Sequence, residues 1–344
     1  MFNQQKSGRD KIWPALAFLL AAAAVLCWKL SVGATGVALS EYGDIVQLRL
    51  GARSVNPPKV AEMLEKRDAE SEDMRYLAWG QTESATLEGG SLGRRSDVGE
   101  ALYYCGDSHG LFSLVRDNGC ALSEDAAFSV FGTSEGVLGE SVIFDGETYV
   151  VERLLTGGSP AAVFKLSEDN RAALDVLNAV PVNGAGFSEN EVRMNYGISG
   201  DIAVHYDVVI KFFAALCRLV VWVAALVTAL FLMIRLTRGL NSNARKPAVL
   251  GGVLAAAAAC LLLMGSPVFI PDSFIPTRWS EFEFWSGAFT GFTGSLNYYF
   301  SMKAYVPDVL FRSLMLEALA FALLSAVCIA TAGAALGRPA KGAG

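Results

Sequence analysis

Histidine is nearly absent. The 344 residues hold two, His109 and His205. A zinc site needs His, Cys or carboxylates clustered at ligand spacing, and the sequence offers no such cluster. His205, in "DIAVHYD", reads as an interfacial or structural side chain. His109 sits in "CGDSHGLF", where Asp107, Ser108 and His109 are chain neighbours that cannot form a nucleophile relay on their own. No G-x-x-x-x-G-K-[ST] phosphate loop and no Gly-rich dinucleotide fingerprint occurs. "GGSLGRR", residues 89–95, reads as a loop. The chain is therefore expected not to be an enzyme and to carry no cofactor or metal of its own. Charge is scarce as well: 18% of residues are charged against 53% hydrophobic, too apolar for an ordinary soluble protein.

The apolar residues concentrate in four runs, each able to supply the ~20 residues that cross a bilayer as a helix. The expected division is a cytoplasmic N-terminus (1–11), a first span (12–32), an extracytoplasmic domain (33–207) and a second span (208–235). A cytoplasmic loop (236–247), a third span (248–270), an extracytoplasmic aromatic loop (271–307), a fourth span (308–336) and a cytoplasmic tail (337–344) follow. Lys6, Arg9 and Lys11 precede the first run, Arg235, Arg238, Arg245 and Lys246 separate the second from the third, and Arg338 and Lys341 follow the fourth. With four crossings these all fall on one side, which the positive-inside rule makes cytoplasmic. The expected location is the cell membrane, multi-pass, with both termini inside. The first run reads as an uncleaved signal anchor in preference to a signal peptide cleaved after "VGA".

Residues 41–207 carry 28 acidic and 13 basic side chains, a net charge of −15. That sign argues against a nucleic-acid partner. Four of the six cysteines lie in expected spans, where Cys behaves as a small apolar residue. Cys105 and Cys120 lie outside. In an oxidising compartment they are a disulfide candidate closing a loop of about 15 residues, worth ~3 kcal/mol; the alternative is two buried thiols.

Within the domain, "DIVQLRL" alternates as a strand does. "NPPKVAEMLEKRDAE" has prolines in its first turn and apolar Val60, Met63 and Leu64 at helical spacing. "RYLAWGQTESATL", "EALYYC" and "AAVFKL" read as strands. Ser123 is an N-cap with Glu124 and Asp125 in the first turn, and Gly132 stops that short helix. "ESVIFDGETYVVERL" is a hairpin reversed at Asp145-Gly146 by a type I′ turn. From Glu168 to Asp201 the signal is weak, with "RAALDVLNAV" the one helical pattern.

This order of strand, capped helix, turn and hairpin resembles the end of the periplasmic core domain of MacB-type ABC transporter permeases. Leu122, Ser123, Ala127, Phe131, Gly132, Gly139, Gly146 and Val150 match the family's pattern, while Glu152-Arg153 stands where small residues are usual. One span, a large outer domain and then three spans also match. The resemblance implies an α+β extracytoplasmic domain, MacB periplasmic-core-like, on a four-helix transmembrane region. It implies a permease-like subunit of a MacB/FtsX/LolE-type complex that passes ATP-driven motion of its helices to the outer domain, for export, extraction or mechanotransmission. ATP would be bound by a cytoplasmic ABC ATPase, docked on the short basic loop with Arg238, Asn241, Arg245 and Lys246. The other expected partners are a second copy or a paralogous permease, membrane lipid, and an extracytoplasmic protein or peptide. The alternative is an ATPase-independent, membrane-anchored binding or sensing protein.

Charges inside spans are costly in hydrocarbon. Arg218 and Glu317 lie at similar depth and are expected to pair or to face a partner helix. Arg312 lies on the fourth span, and Lys211 and Asp308 are near enough to the outer boundary to snorkel. Residues 271–300 hold nine aromatics before Phe300, with Trp279 and Trp285 as interfacial anchors.

Overall fold

The computed structural model describes residues 4–51, 53–70, 72–89, 93–155, 160–182, 188–238, 251–252, 286–287, 290, 293–294, 297, 299–302 and 304–336. They fall into two units. One comprises Met1–Ser40, Val208–Ser295 and Phe311–Gly344; the other comprises Glu41–Asp207 together with Leu296–Leu310. The short stretch before the last helix thus belongs with the α+β unit.

Among the described residues the first unit has three long helices: α1 (Gln4–Tyr42), α5 (Tyr206–Arg238) and α6 (Val306–Leu336). Each contains a stretch long and apolar enough to cross a membrane, which makes the chain a membrane protein. Helix α1 runs on to Tyr42, ten residues past the expected end of its span. The expected third span lies outside the described residues, so three candidate spans are seen where four were expected.

Small residues set how these helices meet. On α1 the buried side chains are Ala17, Ala24, Cys27, Ser31, Ala34 and Ala38, a seam of alternating three- and four-residue steps after the first. Small side chains let backbones approach and let hydroxyls reach across. The Ser31 hydroxyl donates to the Ala318 carbonyl at 2.8 Å, and that of Ser325 to the Ala24 carbonyl at 2.9 Å. Cys217 and Val221 of α5 join Ala34, Ala318 and Ala322 in one cluster. A Cβ on Gly333 would come within 2.2 Å of the Thr228 methyl, so a larger residue there would force Thr228 to shift.

The α+β unit is an 11-stranded mixed sheet among the described residues. Its strands are β1 (Val46–Arg49), β2 (Met74–Thr82), β3 (Ala85–Gly89), β4 (Arg94–Val98), β5 (Ala101–Gly106), β6 (Gly119–Ser123), β7 (Ser141–Phe144), β8 (Glu147–Leu155), β9 (Ala162–Lys165), β10 (Val176–Pro181) and β11 (Ile202–His205). The spatial order is β11-β1-β10-β2-β5-β9-β6-β8-β7-β3-β4. The β5/β9 and β6/β8 pairs are parallel; the other pairs are antiparallel.

Strand alternation gives the sheet two apolar faces. On β2, Tyr76 and Ala78 join the cluster covered by Val60 and Met63 of α2 (Pro57–Glu70), Ala127 and Val130 of α3 (Glu124–Phe131), and Val192 and Tyr196 of α4 (Glu189–Tyr196). Leu77 and Trp79 join the opposite cluster, with Leu102, Tyr104 and Val163. Among the described residues no helix is laid across that second face. Its cover is the loop between β5 and β6, through Phe112 and Leu114, and the segment leading into α6, through Tyr305 and Val306.

The local punctuation forms as expected. Ser123 is extended (φ −67°, ψ 157°), its hydroxyl accepts from the Ala126 amide at 3.1 Å, and Gly132 closes α3 at φ 79°. Asp145 (φ 50°) and Gly146 (φ 80°) both have positive φ, the type I′ geometry of the β7/β8 hairpin. "RAALDVLNAV" does not form the expected helix. Residues 176–181 are the strand β10, hydrogen-bonded between β1 and β2 and largely buried on both faces, a pattern that periodicity alone cannot tell from a helix.

Candidate functional site

Buried polar side chains are few, and several share one place. Among the described residues Gln47, Arg49, Asn178 and Asp308 are buried in the α+β unit, on the sheet face that lacks a helical cover. In β1 all four side chains are buried, so the alternation that sends Val46 and Leu48 to one face sends Gln47 and Arg49 to the other.

Asp308 is the hub. It sits in the first turn of α6, where a carboxylate is favoured by the helix dipole. Its Oδ2 accepts from the Tyr305 amide at 2.9 Å, the capping-box pattern of a third-position acid reaching back over the helix start. The same oxygen accepts from Arg49 Nη2, and Oδ1 accepts from the Tyr206 hydroxyl at 2.9 Å. The Tyr206 oxygen also lies 3.2 Å from Gln47 Oε1. The Val306 amide, an orphan donor at the helix start, donates to Gln81 Oε1 of β2 at 2.8 Å. Tyr42, the last residue of α1, donates to the Pro307 carbonyl at 3.4 Å and packs its ring 5.5 Å from that of Tyr206.

The Arg49–Asp308 pair is almost dry, with side chains 9% and 1% exposed. Arg49 lies over the Tyr305 ring at 4.4 Å and 5.7 Å from the Trp79 ring, which shields the cation on its flat faces. Its Nε and Nη1 are buried without a hydrogen-bond partner among the described residues. Trp79 Nε1 donates to Asn178 Oδ1 at 3.3 Å. The network thus fastens β1 to the last residue of one membrane-length helix and the first turns of two others. Asp308 does not snorkel to water as expected, because Arg49 and two hydrogen-bond donors hold it inward.

Beside this network lies a cavity of about 460 Å³, whose wall includes Gln47, Asn178, Tyr206, His109 and Arg153. Arg153 donates to Ser113 Oγ and to the Leu111 carbonyl, both at 3.0 Å. Burial lowers the His109 pKa from its ordinary value, which favours the uncharged ring. Among the described residues no cluster of three or more His, Cys, Asp and Glu could hold a metal.

The other expected sites fare differently. Cys105 and Cys120 are free, buried thiols and form no disulfide. They stand on β5 and β6 with β9 hydrogen-bonded between, and Cys120 is level with Tyr103, two residues before Cys105, so more than two strand spacings of together about 9.5 Å separate them, where a disulfide spans about 4.4–6.8 Å between Cα atoms. Burial pushes the Cys105 thiol up to about 11 and the Cys120 thiol up to about 12. Arg218 and Glu317 form no ion pair with each other: Arg218 is half-buried and Glu317 exposed. The neighbouring residues Cys217 and Ala318 occupy the helix seam, and a step of one residue turns each charge about 100° away from it. Arg312, one turn beyond Asp308, is half-buried. Arg238 ends α5. Asn241, Arg245, Lys246, Trp279 and Trp285 lie outside the described residues.

Comparison with known proteins gives similarities of structure alone. No protein-family profile and no curated protein matches the chain. The chain is similar to the periplasmic region of MacB from Actinobacillus actinomycetemcomitans, at 15% identity and a TM-score of 0.36, over 50% of this chain and 93% of that one. It is similar to the extracellular domain of the noncanonic ABC-type transporter YknZ from Gram-positive bacteria, at 13% identity and a TM-score of 0.29, over 45% of this chain and 96% of that one. Neither likeness assigns this chain to a family.

Proposed function

We propose that the chain is a permease-like subunit of a MacB/FtsX-type ABC complex and that it passes motion between its membrane helices and its α+β domain. The observation that carries this reading is the Arg49–Asp308–Tyr206 network. A buried ion pair is weak evidence for stability, but it fixes geometry, because each partner is costly to leave alone. Here it fixes β1 to the starts of α5 and α6. A shift or rotation of either helix therefore acts on β1 and, through the ladder to β10 and β2, on the middle of the sheet. The sequence resemblance of residues 122–150 to the MacB core motif supports the same reading.

In this account the domain is extracytoplasmic, both termini are cytoplasmic, and the span at 248–270 makes a fourth crossing. The chain catalyses nothing itself. ATP is bound by a separate ABC ATPase that docks on the basic loop from Arg238 to Lys246, and a second permease copy or a paralogue completes the complex. Capture of the tagged full-length chain from crosslinked native membranes tests the reading. An ABC ATPase should be recovered in near-stoichiometric amount, and its absence from repeated crosslinked preparations would sink the proposal.

The cavity beside the network favours a second reading, a membrane-anchored binding or sensing protein that needs no ATPase. In that case ligand occupancy, with no nucleotide present, would be the signal that reaches the helices.

A further inference from the structure

The cavity has the size of a small-molecule site, which typically spans about 300–1,000 Å³. Much of its wall is apolar, formed by Ile45, Leu111, Phe112, Leu155, Pro307 and Leu310. Two atoms on its lining residues are buried and lack a hydrogen-bond partner among the described residues: Nε2 of His109 and Nε of Arg153. Buried polar atoms in native proteins are paired with few exceptions, and each exception asks for a missing partner.

The two atoms ask for different things. Arg153 Nε–H is a charged donor. The guanidinium donates to a hydroxyl and a carbonyl, both neutral, and no carboxylate among the described residues pairs with it. A half-buried guanidinium without an anion suits a planar, singly charged acceptor. His109 Nδ1 lies 3.3 Å from the Asp107 carbonyl, which can only accept, so Nδ1 carries the ring proton and Nε2 offers a lone pair. Glu41, exposed at the wall, adds a negative charge that disfavours polyanions such as polyphosphates.

We propose that this cavity binds an amphipathic monocarboxylate, an aliphatic chain ending in one carboxyl group. The chain lies along the apolar wall and the carboxyl group sits between Arg153 and His109. Its carbonyl oxygen accepts from Arg153 Nε–H. Its acid proton is shared with His109 Nε2, either donated as a hydrogen bond or transferred to leave a carboxylate between imidazolium and guanidinium. Gln47 and Tyr206 belong both to the wall and to the Asp308 network, so an occupied cavity is felt at the helix starts. The inference goes beyond the proposed function and stands without an ATPase.

The test is photolabelling of the purified full-length chain in detergent with a diazirine derivative of decanoic acid, followed by peptide mapping. Adducts should concentrate in residues 109–112 and 153–155, should be displaced by excess decanoate, and should fall at least tenfold in Arg153→Met with partial recovery in Arg153→Lys. The matching decylamine probe should not enrich these residues. Leu111→Trp, which fills the cavity and leaves the Arg153 nitrogens in place, should abolish labelling while the protein still elutes and melts as the parent does; this arm decides if Arg153→Met fails to fold. Labelling spread evenly over the apolar helices, labelling unchanged in Leu111→Trp, or equal labelling by the decylamine probe would overturn the proposal.

Discussion

Replacing Asp308 by Asn keeps the shape of the hub and removes its charge. Arg49 is then a buried cation facing no anion, with Nε and Nη1 still unpaired and only the rings of Tyr305 and Trp79 beside it. Removing one partner of a buried pair costs about 3–5 kcal/mol. For a unit of this size each kcal/mol moves the melting temperature by about 2–4 °C, so Asp308→Asn should melt about 6–20 °C below the parent. Arg49→Met is milder, because the Asp308 carboxylate keeps its hydrogen bonds from Tyr206 and the Tyr305 amide. In the double variant no charge is left buried, and its melting temperature should rise above that of Asp308→Asn alone, a coupling of about 2 kcal/mol or more. Thermal unfolding of the full-length chain in detergent, followed by tryptophan fluorescence, reads all three. A melting temperature of Asp308→Asn within about 2 °C of the parent, or strictly additive effects in the double variant, would refute the reasoning.

Further outcomes are expected. Cys105 and Cys120, with thiol pKa values pushed up to about 11 and about 12, should resist alkylation at pH 8 in the folded protein and react fully once it is unfolded without reductant. No alkylation at either position, or a mass two daltons low, would mean that a disulfide exists after all. Burial lowers the His109 pKa from its ordinary 6.5, so below that pH the unfolded chain binds more protons than the folded one and stability falls as pH drops. His109→Gln should therefore lose less melting temperature than the parent between pH 7 and 5.5; identical slopes would contradict a neutral buried ring. Ser123→Ala removes the acceptor for the Ala126 amide and should cost about 1 kcal/mol, whereas Ser123→Asp should retain most of the stability.

What could be read in the sequence was local. Ser123, Gly132 and the Asp145-Gly146 turn act within a few residues, and their chemistry alone places them. The strands that alternate, and the helix opened by Pro57, were legible for the same reason. The Arg49–Asp308 pair joins positions 259 apart in sequence, and nothing near either residue announces the other. One clue was available: an aspartate in the first turn of an apolar helix, and an arginine in a strand that turned out to be buried on both faces. Strand β10 was misread because residues buried on both sides lose the period of two that identifies a half-buried strand. The disulfide was misjudged because chain spacing counts residues, whereas pairing depends on strand order, and β9 intervenes. Arg218 and Glu317 share a depth, but helix rotation turns both off the seam that depth alone suggested.

The central claim is that the hub at Asp308 couples the membrane helices to the outer domain of an ATP-driven complex. ATP hydrolysis by the complex captured on the tagged chain, compared between the parent and Tyr206→Phe, bears on it most directly. Tyr206→Phe removes the hydroxyl bond to Asp308 and leaves the ring and the Arg49–Asp308 pair in place. The account predicts that the ATPase is recovered equally with both chains and that its turnover changes several-fold in the variant. Equal recovery with unchanged turnover, or no ATPase with either chain, would contradict it.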